Sequence, residues 1–210
     1  MKIGVGVITM GLREINPKFF EKTTHETFIY TDTERLGPGH ARNQVLAHFD
    51  GYDHVFIFDD DCYPTRLGWE DYFIQEAQAN SIHYMSLPDI FGGEYQRTEG
   101  EMTFWFSALG CFLYQDKLAM ETIGGYNLEY NRYGYEDAAR SHRAIKAGLT
   151  GSDAGWGFPI RGLSYIHSED VFGENPAPNI QTAEKLAYIA KNQPIYQKEI
   201  EGKNLFYPYK

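Results

Sequence analysis

Residues 54–58, HVFIF, form an apolar run of β-branched and aromatic residues that ends on three consecutive aspartates, Asp59, Asp60 and Asp61. The run reads as a buried strand, which sets the acids at its carboxyl end. In open α/β sheets that end is where ligands bind. Three adjacent carboxylates repel one another. They are tolerated either as a solvated turn, with each aspartate bonding to nearby backbone N–H groups, or with a cation between them. All-oxygen clusters of this kind suit Mg2+ or Mn2+, with nucleotide phosphates completing the coordination shell.

Strand and helix signals alternate around this run. KIGVGVIT and THETFIYT read as strands, PGHARNQVLAHF as a helix, HVFIF as a third strand and GWEDYFIQEAQAN as a helix. Such alternation predicts an α/β fold with a mixed, mostly parallel sheet flanked by helices, its Rossmann-like nucleotide-binding half over residues 1–90. HYMSLP reads as a further strand. DIFGGEYQRTEGEM is too polar for a core and long enough for a functional loop, with Phe91 to Glu101 acting as a lid. TFWFSALGCFLYQ then reads as an aromatic strand pair, in which Trp105, flanked by Phe104 and Phe106, is expected to face a sugar pocket. KLAMETIGGYN reads as a short helix closed by glycines, and YEDAARSHRAIKAG as a helix stopped at Gly148. Residues 91–167 form the second half of a single domain, 1–167. Residues 168–210 are too few and too poor in apolar side chains to hold a core, and are expected to pack on the domain as a tail with a helix at TAEKLAYIAKN.

A formal net charge of -10 over 210 residues argues against a generally basic nucleic-acid or membrane-surface protein and leaves room for a local basic patch. The 16 Tyr and 14 Phe suit sugar or base recognition as well as an aromatic core. No stretch approaches the roughly 18 apolar residues of a membrane span. MKIGVGVITMGL lacks an apolar block of signal-peptide length, and Cys62 and Cys111 stand in apolar settings without metal-type spacing. Reduced thiols and a cytoplasmic location are therefore expected.

FDDDCYP resembles the D-x-D motif of glycosyltransferases with the GT-A fold. NRYGYEDAAR resembles the W-G-G-E-D segment of the beta-1,4-galactosyltransferase-like and family-two inverting enzymes, YIHSEDVFGENP the R-H-S-x-D segment that follows it, and GPGHARNQVL the G-x-x-x-A-R-N stretch of family two. Together these span roughly residues 3–170 in the family's order. The resemblance implies that Asp61 ligates a divalent ion and that Asp59 supports the ribose or the ion, with Asp60 beside them in the donor site. His167 is implied as the third metal ligand, which tilts the ion from Mg2+ toward Mn2+. Asp137 is implied as the catalytic base and Glu136 as its neighbour in the acceptor site. Arg42 is implied near the diphosphate or the base, supported by Asn43, with Asp32 and the loop from Thr9 to Leu12 on the nucleotide. Tyr133 and Tyr135 stand where the family has a tryptophan and a glycine, and Ala138 where one branch has another aspartate.

An inverting transfer needs a carboxylate to take the proton of the attacking hydroxyl. Glu136 and Asp137 fall at a predicted helix N-terminus, which stabilises carboxylate charge and equally describes an ordinary first turn. The expected function is metal-dependent inverting transfer of a sugar from a nucleotide sugar, taken as a UDP-sugar, to an acceptor hydroxyl. A glycan acceptor is favoured over a hydroxymethylated base in phage-type DNA. DNA would require a basic groove, for which Lys185, Lys191, Lys198 and Lys203 with Arg13, Lys18 and Lys22 are the candidates. Two rivals stand beside this expectation. A sugar nucleotidyltransferase would need a Gly-rich, basic loop that VITMGLRE lacks, and a non-catalytic carbohydrate-binding module would leave Asp137 unexplained.

Overall fold

The computed structural model describes residues 1–210 apart from Gly93, Glu94, Ser107, Asn131 and 175–181. The HVFIF run becomes β3 (His54–Asp59), the middle strand of a five-stranded sheet. Its companions are β1 (Ile3–Thr9), β2 (Glu26–Thr31), β5 (Tyr84–Pro88) and β8 (Ala108–Asp116), in the order β2-β1-β3-β8-β5. β1 pairs in parallel with both β2 and β3, whereas β8 runs antiparallel to β3 and β5, so only β8 opposes the common direction.

Both faces of the sheet are covered, which is why β3 shows no polar alternation. Val55 and Ile57 pack in one core layer with Val45 and Leu46 of α2 (Pro38–His48) and Met120 and Ile123 of α4 (Lys117–Ile123). Phe56 and Phe58 pack on the other face, with ring centroids 4.7 Å and 5.2 Å from Trp69 of α3 (Trp69–Ala79). Cys62 and Cys111 are free and buried in this second layer.

The stretch expected as a loop and lid is instead largely a hairpin. β6 (Tyr95–Glu99) pairs antiparallel with β7 (Met102–Trp105), and β7 continues the pairing to β9 (Trp156–Pro159). Its polar residues read as loop because β6 is an edge strand: Arg97 lies over Phe104 at 4.1 Å and its Nε bonds Glu99 at 2.5 Å. Gly93 and Glu94 of the expected lid lie outside the described residues, as do 175–181 of the Pro-rich stretch. The short α1 (Pro17–Lys22) and the pair β4 (Cys62–Pro64) and β10 (Ile166–Ser168) carry too few residues for a periodic signal.

After α5 (Glu136–Lys146), the last helix, α6 (Thr182–Glu201), runs through Pro194 and well past the predicted stop at Asn192. The C-terminal segment docks by polar contacts rather than by an apolar face. Glu199 and Arg143 form an ion pair at 2.9 Å with both side chains 2% exposed. Asn127 and Tyr130 donate to the same carboxylate at 3.1 Å and 3.0 Å, and Arg143 donates to the carbonyls of Gly125 and Leu205. Among the described residues no helix is long and apolar enough to cross a membrane.

Candidate active site

The carboxyl ends of β1, β2 and β3 and the N-terminus of α5 open onto one cleft of about 690 Å3. The three aspartates lie on its floor, and their mutual repulsion is answered by two guanidinium groups. Arg13, in the loop after β1, places Nε 2.5 Å from Asp60 and Nη2 2.9 Å from Asp61. Thr9, at the end of β1, donates to Asp60 at 2.5 Å. Asp61 also accepts from the Ser168 hydroxyl at 2.5 Å and the Asp170 backbone N–H at 3.2 Å.

Arg42 of α2 is 1% exposed and answers the rest. Its Nη2 donates to Asp59 at 2.9 Å and to the Gly110 carbonyl at 3.0 Å, while Nη1 lies 3.0 Å from Asp137 and 3.8 Å from Glu136. One buried cation thus ties the strand-end carboxylates to the first turn of α5. The approach depends on Gly110, where a Cβ would overlap the Asp137 carboxylate. Asn43 supports the arrangement from behind, donating to the Tyr126 carbonyl at 3.0 Å and accepting from the Tyr126 N–H at 2.7 Å.

The entry to α5 is conformationally costly. Gly134 and Tyr135 both have positive φ, 95° and 72°, and Tyr135 caps the helix without a side-chain bond. A tyrosine in the left-handed region needs its surroundings to hold it there. Those surroundings come from α6: buried Asn192 donates 2.9 Å bonds to the carbonyls of Tyr133 and Gly134, and Tyr196 stacks on Tyr135 at 4.7 Å. Asn192→Ala strands two carbonyls and is expected to lower stability by about 1–3 kcal/mol, read by urea unfolding. An unchanged midpoint would contradict the role assigned to this contact.

Electrostatically the floor holds more acid than its arginines offset. Burial, with help from Asp61, Asp137 and Asp60, pushes the Asp59 carboxyl up from 3.8 to about 7 against the opposing charge of Arg42. Burial and then Asp137 push Glu136 up from 4.5 to about 8, again against Arg42. Glu136 Oε2 is buried without a hydrogen-bond partner among the described residues. Because the folded state holds these protons longer than the unfolded chain, their stabilisation is complete below about pH 4 and is lost as pH rises through 7 to 8. Melting temperature is therefore expected to fall between pH 5 and pH 8 in the native chain, with a flatter profile in Glu136→Gln; an unaltered profile would contradict the assignment.

The structure brings Thr9, Asp32, Arg42, Asp59, Asp60, Asp61, Glu136 and Asp137 to the cleft and leaves two expected residues elsewhere. His167 does not join the aspartates. In β10 the Ser168 hydroxyl turns to Asp61, whereas His167 bonds Glu174 at 3.0 Å and stacks on Phe172 at 4.9 Å. Trp105 lies outside the lining; its Nε1 donates to Thr103 at 2.9 Å and its ring meets Tyr95 edge-on at 5.4 Å. Asp32 borders the cleft, but its two oxygens accept the N–H groups of Leu36 and Gly37 at 3.0 Å and 2.8 Å, so it shapes the turn into α2. Arg13, expected only as part of a basic groove, and Ser168 are added to the site, as is Asn192 behind it.

Among the described residues no three His, Cys, Asp or Glu side chains are gathered as a metal site. Asp59, one third exposed at 33%, offers hard oxygen donors directly, Asp61 offers them on exchange of its Arg13 or Ser168 contact, and eight acidic against five basic side chains line the cleft. These residues fit a divalent ion held by one or two carboxylates and completed by substrate phosphates, the usual habit of Mg2+.

No family model and no curated protein matches the chain. Among solved structures it is similar to the catalytic domain of Drosophila beta1,4galactosyltransferase 7 in complex with xylobiose, at 12% identity and a TM-score of 0.48 over 90% of this chain and 79% of that one. It is similar to residues 1–349 of S. aureus TarS in complex with UDP, at 14% identity and a TM-score of 0.48 over 97% and 73%. A glycosyltransferase involved in glycosylation of the major capsid of PBCV-1 overlays at 15% identity and a TM-score of 0.37 over 58% and 63%.

Proposed function

We propose that the protein is an inverting glycosyltransferase that moves a sugar from a nucleoside diphosphate sugar, taken as a UDP-sugar from the motif resemblance, to an acceptor hydroxyl. The observation that carries this reading is the Asp59–Arg42–Asp137 bridge, which fixes the strand-end carboxylates and a second, separate carboxylate on one cleft. Asp137 is the more accessible of the two α5 acids, 23% exposed against 8% for Glu136. As base it accepts the acceptor hydroxyl proton while the new C–O bond forms at the anomeric carbon and the bond to the diphosphate oxygen breaks on the opposite face. Glu136, whose carboxyl burial and then the Asp137 charge push up, stands beside the base on the acceptor side. Arg42 keeps Asp137 oriented, and Arg13 keeps Asp60 and Asp61 in place. Mn2+ or Mg2+ held by Asp59 and Asp61 would supply the positive charge that a diphosphate needs in this acidic cleft. The same acidity favours a glycan over DNA as the acceptor.

The test is incubation with a panel of nucleotide sugars, following nucleoside diphosphate release and the anomeric configuration of the product by NMR. Release from UDP-sugars with inversion is expected. Pyrophosphate release from a nucleoside triphosphate would support nucleotidyl transfer instead, and glycan binding without nucleotide turnover would support a binding module.

A further inference from the structure

We infer that Arg35, Arg132 and Lys185 form a phosphate-binding rim on the cleft, separate from its acidic floor, that takes a phosphate group of a substrate. The transferase reading bears only on where that phosphate comes from.

All three side chains line the cleft. The floor arginines, Arg13 and Arg42, are committed to carboxylates. Among the described residues Arg35, Arg132 and Lys185 make no ion pair with a carboxylate. Uncommitted cations bordering an otherwise acidic cavity are the groups available to an anion. The turn that carries Arg35 meets the segment that carries Arg132. Gly37 lies so close to Arg132 that an added Cβ would sit 3.0 Å from its Cα, and Arg35 is two residues before Gly37 in the turn that Asp32 holds. Lys185 Nζ lies 5.1 Å from the ring of Tyr133, the neighbour of Arg132. Lys185 also belongs to α6, which Asn192 fastens to the carbonyls of Tyr133 and Gly134. The lysine is therefore carried by a fixed wall of the site.

Of the remaining acids on the lining, Asp170 belongs to the floor, where its N–H bonds Asp61 and its charge acts on Arg13. Glu184 is exposed beside Lys185. Asp32, whose oxygens are held by the Leu36 and Gly37 N–H groups, offsets part of the charge, and Asp170 acts on Tyr133 from the floor side, so the rim is the least acidic part of the lining. Guanidinium forks match phosphate oxygens in pairs, and an ammonium adds a point charge. The phosphate is either the donor diphosphate or one carried by the acceptor.

Calorimetric titration of inorganic pyrophosphate into the full chain, with EDTA present, tests the rim. Lys185→Gln, Arg132→Gln and the double variant are compared with the native chain, with circular dichroism and melting temperature confirming the fold. The double variant is expected to lose about tenfold or more in pyrophosphate affinity, since each charge-assisted bond carries a large increment. UDP is titrated into the same variants with Mn2+ in place of EDTA, and a parallel fall in its affinity assigns the rim to the donor diphosphate. A fall for pyrophosphate with UDP unchanged assigns it to an acceptor phosphate. Pyrophosphate affinity unchanged in the double variant, or absent from the native chain, overturns the inference. Failure of the transferase reading appears separately, as a native chain that binds pyrophosphate but turns over no nucleotide sugar.

Discussion

Asp137→Asn is expected to lower sugar transfer by about 100- to 10,000-fold while leaving donor affinity within about twofold. The amide keeps the size and position of the carboxylate in the first turn of α5 but cannot take the acceptor proton. Glu136 does not replace it, because it is protonated near neutral pH and less accessible. Measured single-turnover rates beside donor titrations separate the two effects. Retained transfer would remove Asp137 as the base, and lost transfer together with lost donor binding would place it in the donor site.

The second large effect is on stability. Arg42→Met removes the one buried cation shared by Asp59, Asp137 and Glu136, and leaves the buried Glu136 and the two partly exposed aspartates without their common counter-charge. Breaking a buried pair by removing one partner costs about 3–5 kcal/mol. For a chain of this size that corresponds to a fall in melting temperature of about 6–20 °C. The loss deepens as pH rises from 5 to 8, because the acids that Arg42 offsets become ionised over that range. Arg42→Lys restores only part of it, since a single ammonium cannot span the Asp59, Asp137 and Gly110 oxygens in one fork. Thermal unfolding at the two pH values decides this, and a variant as stable as the native chain would show that the bridge is incidental.

Much of this was legible in the sequence for definite physical reasons. The apolar runs of β1 and β3 and the acids that follow β3 fix where the sheet is buried and where its ligand end lies, because strands covered on both faces carry no alternation. Asp137 and Glu136 were legible as the first turn of a helix that stops at Gly148, and were singled out by the motif resemblance. Arg13 was not, since a single arginine in a loop carries no periodicity and its partners are 47 and 48 residues away. His167 was named by motif resemblance, and its side chain bonds Glu174 rather than the aspartates. The motif fixes its neighbourhood, but strand alternation gives the inward position to Ser168. β6 was read as loop because edge-strand residues face water and look polar. The tail was legible as a helix packing on the domain, but not how it docks, because that rests on Glu199, Arg143 and Asn192, and buried polar networks leave no hydrophobic pattern.

Nucleoside diphosphate is expected to bind the floor of the cleft through a divalent ion on Asp59 and Asp61. Calorimetric titration of UDP with Mn2+, with EDTA, and with Mn2+ into Asp61→Ala tests it most directly. Binding with Mn2+ that is lost with EDTA and lost in the variant is expected. Binding that is indifferent to both, or absent throughout, would contradict it.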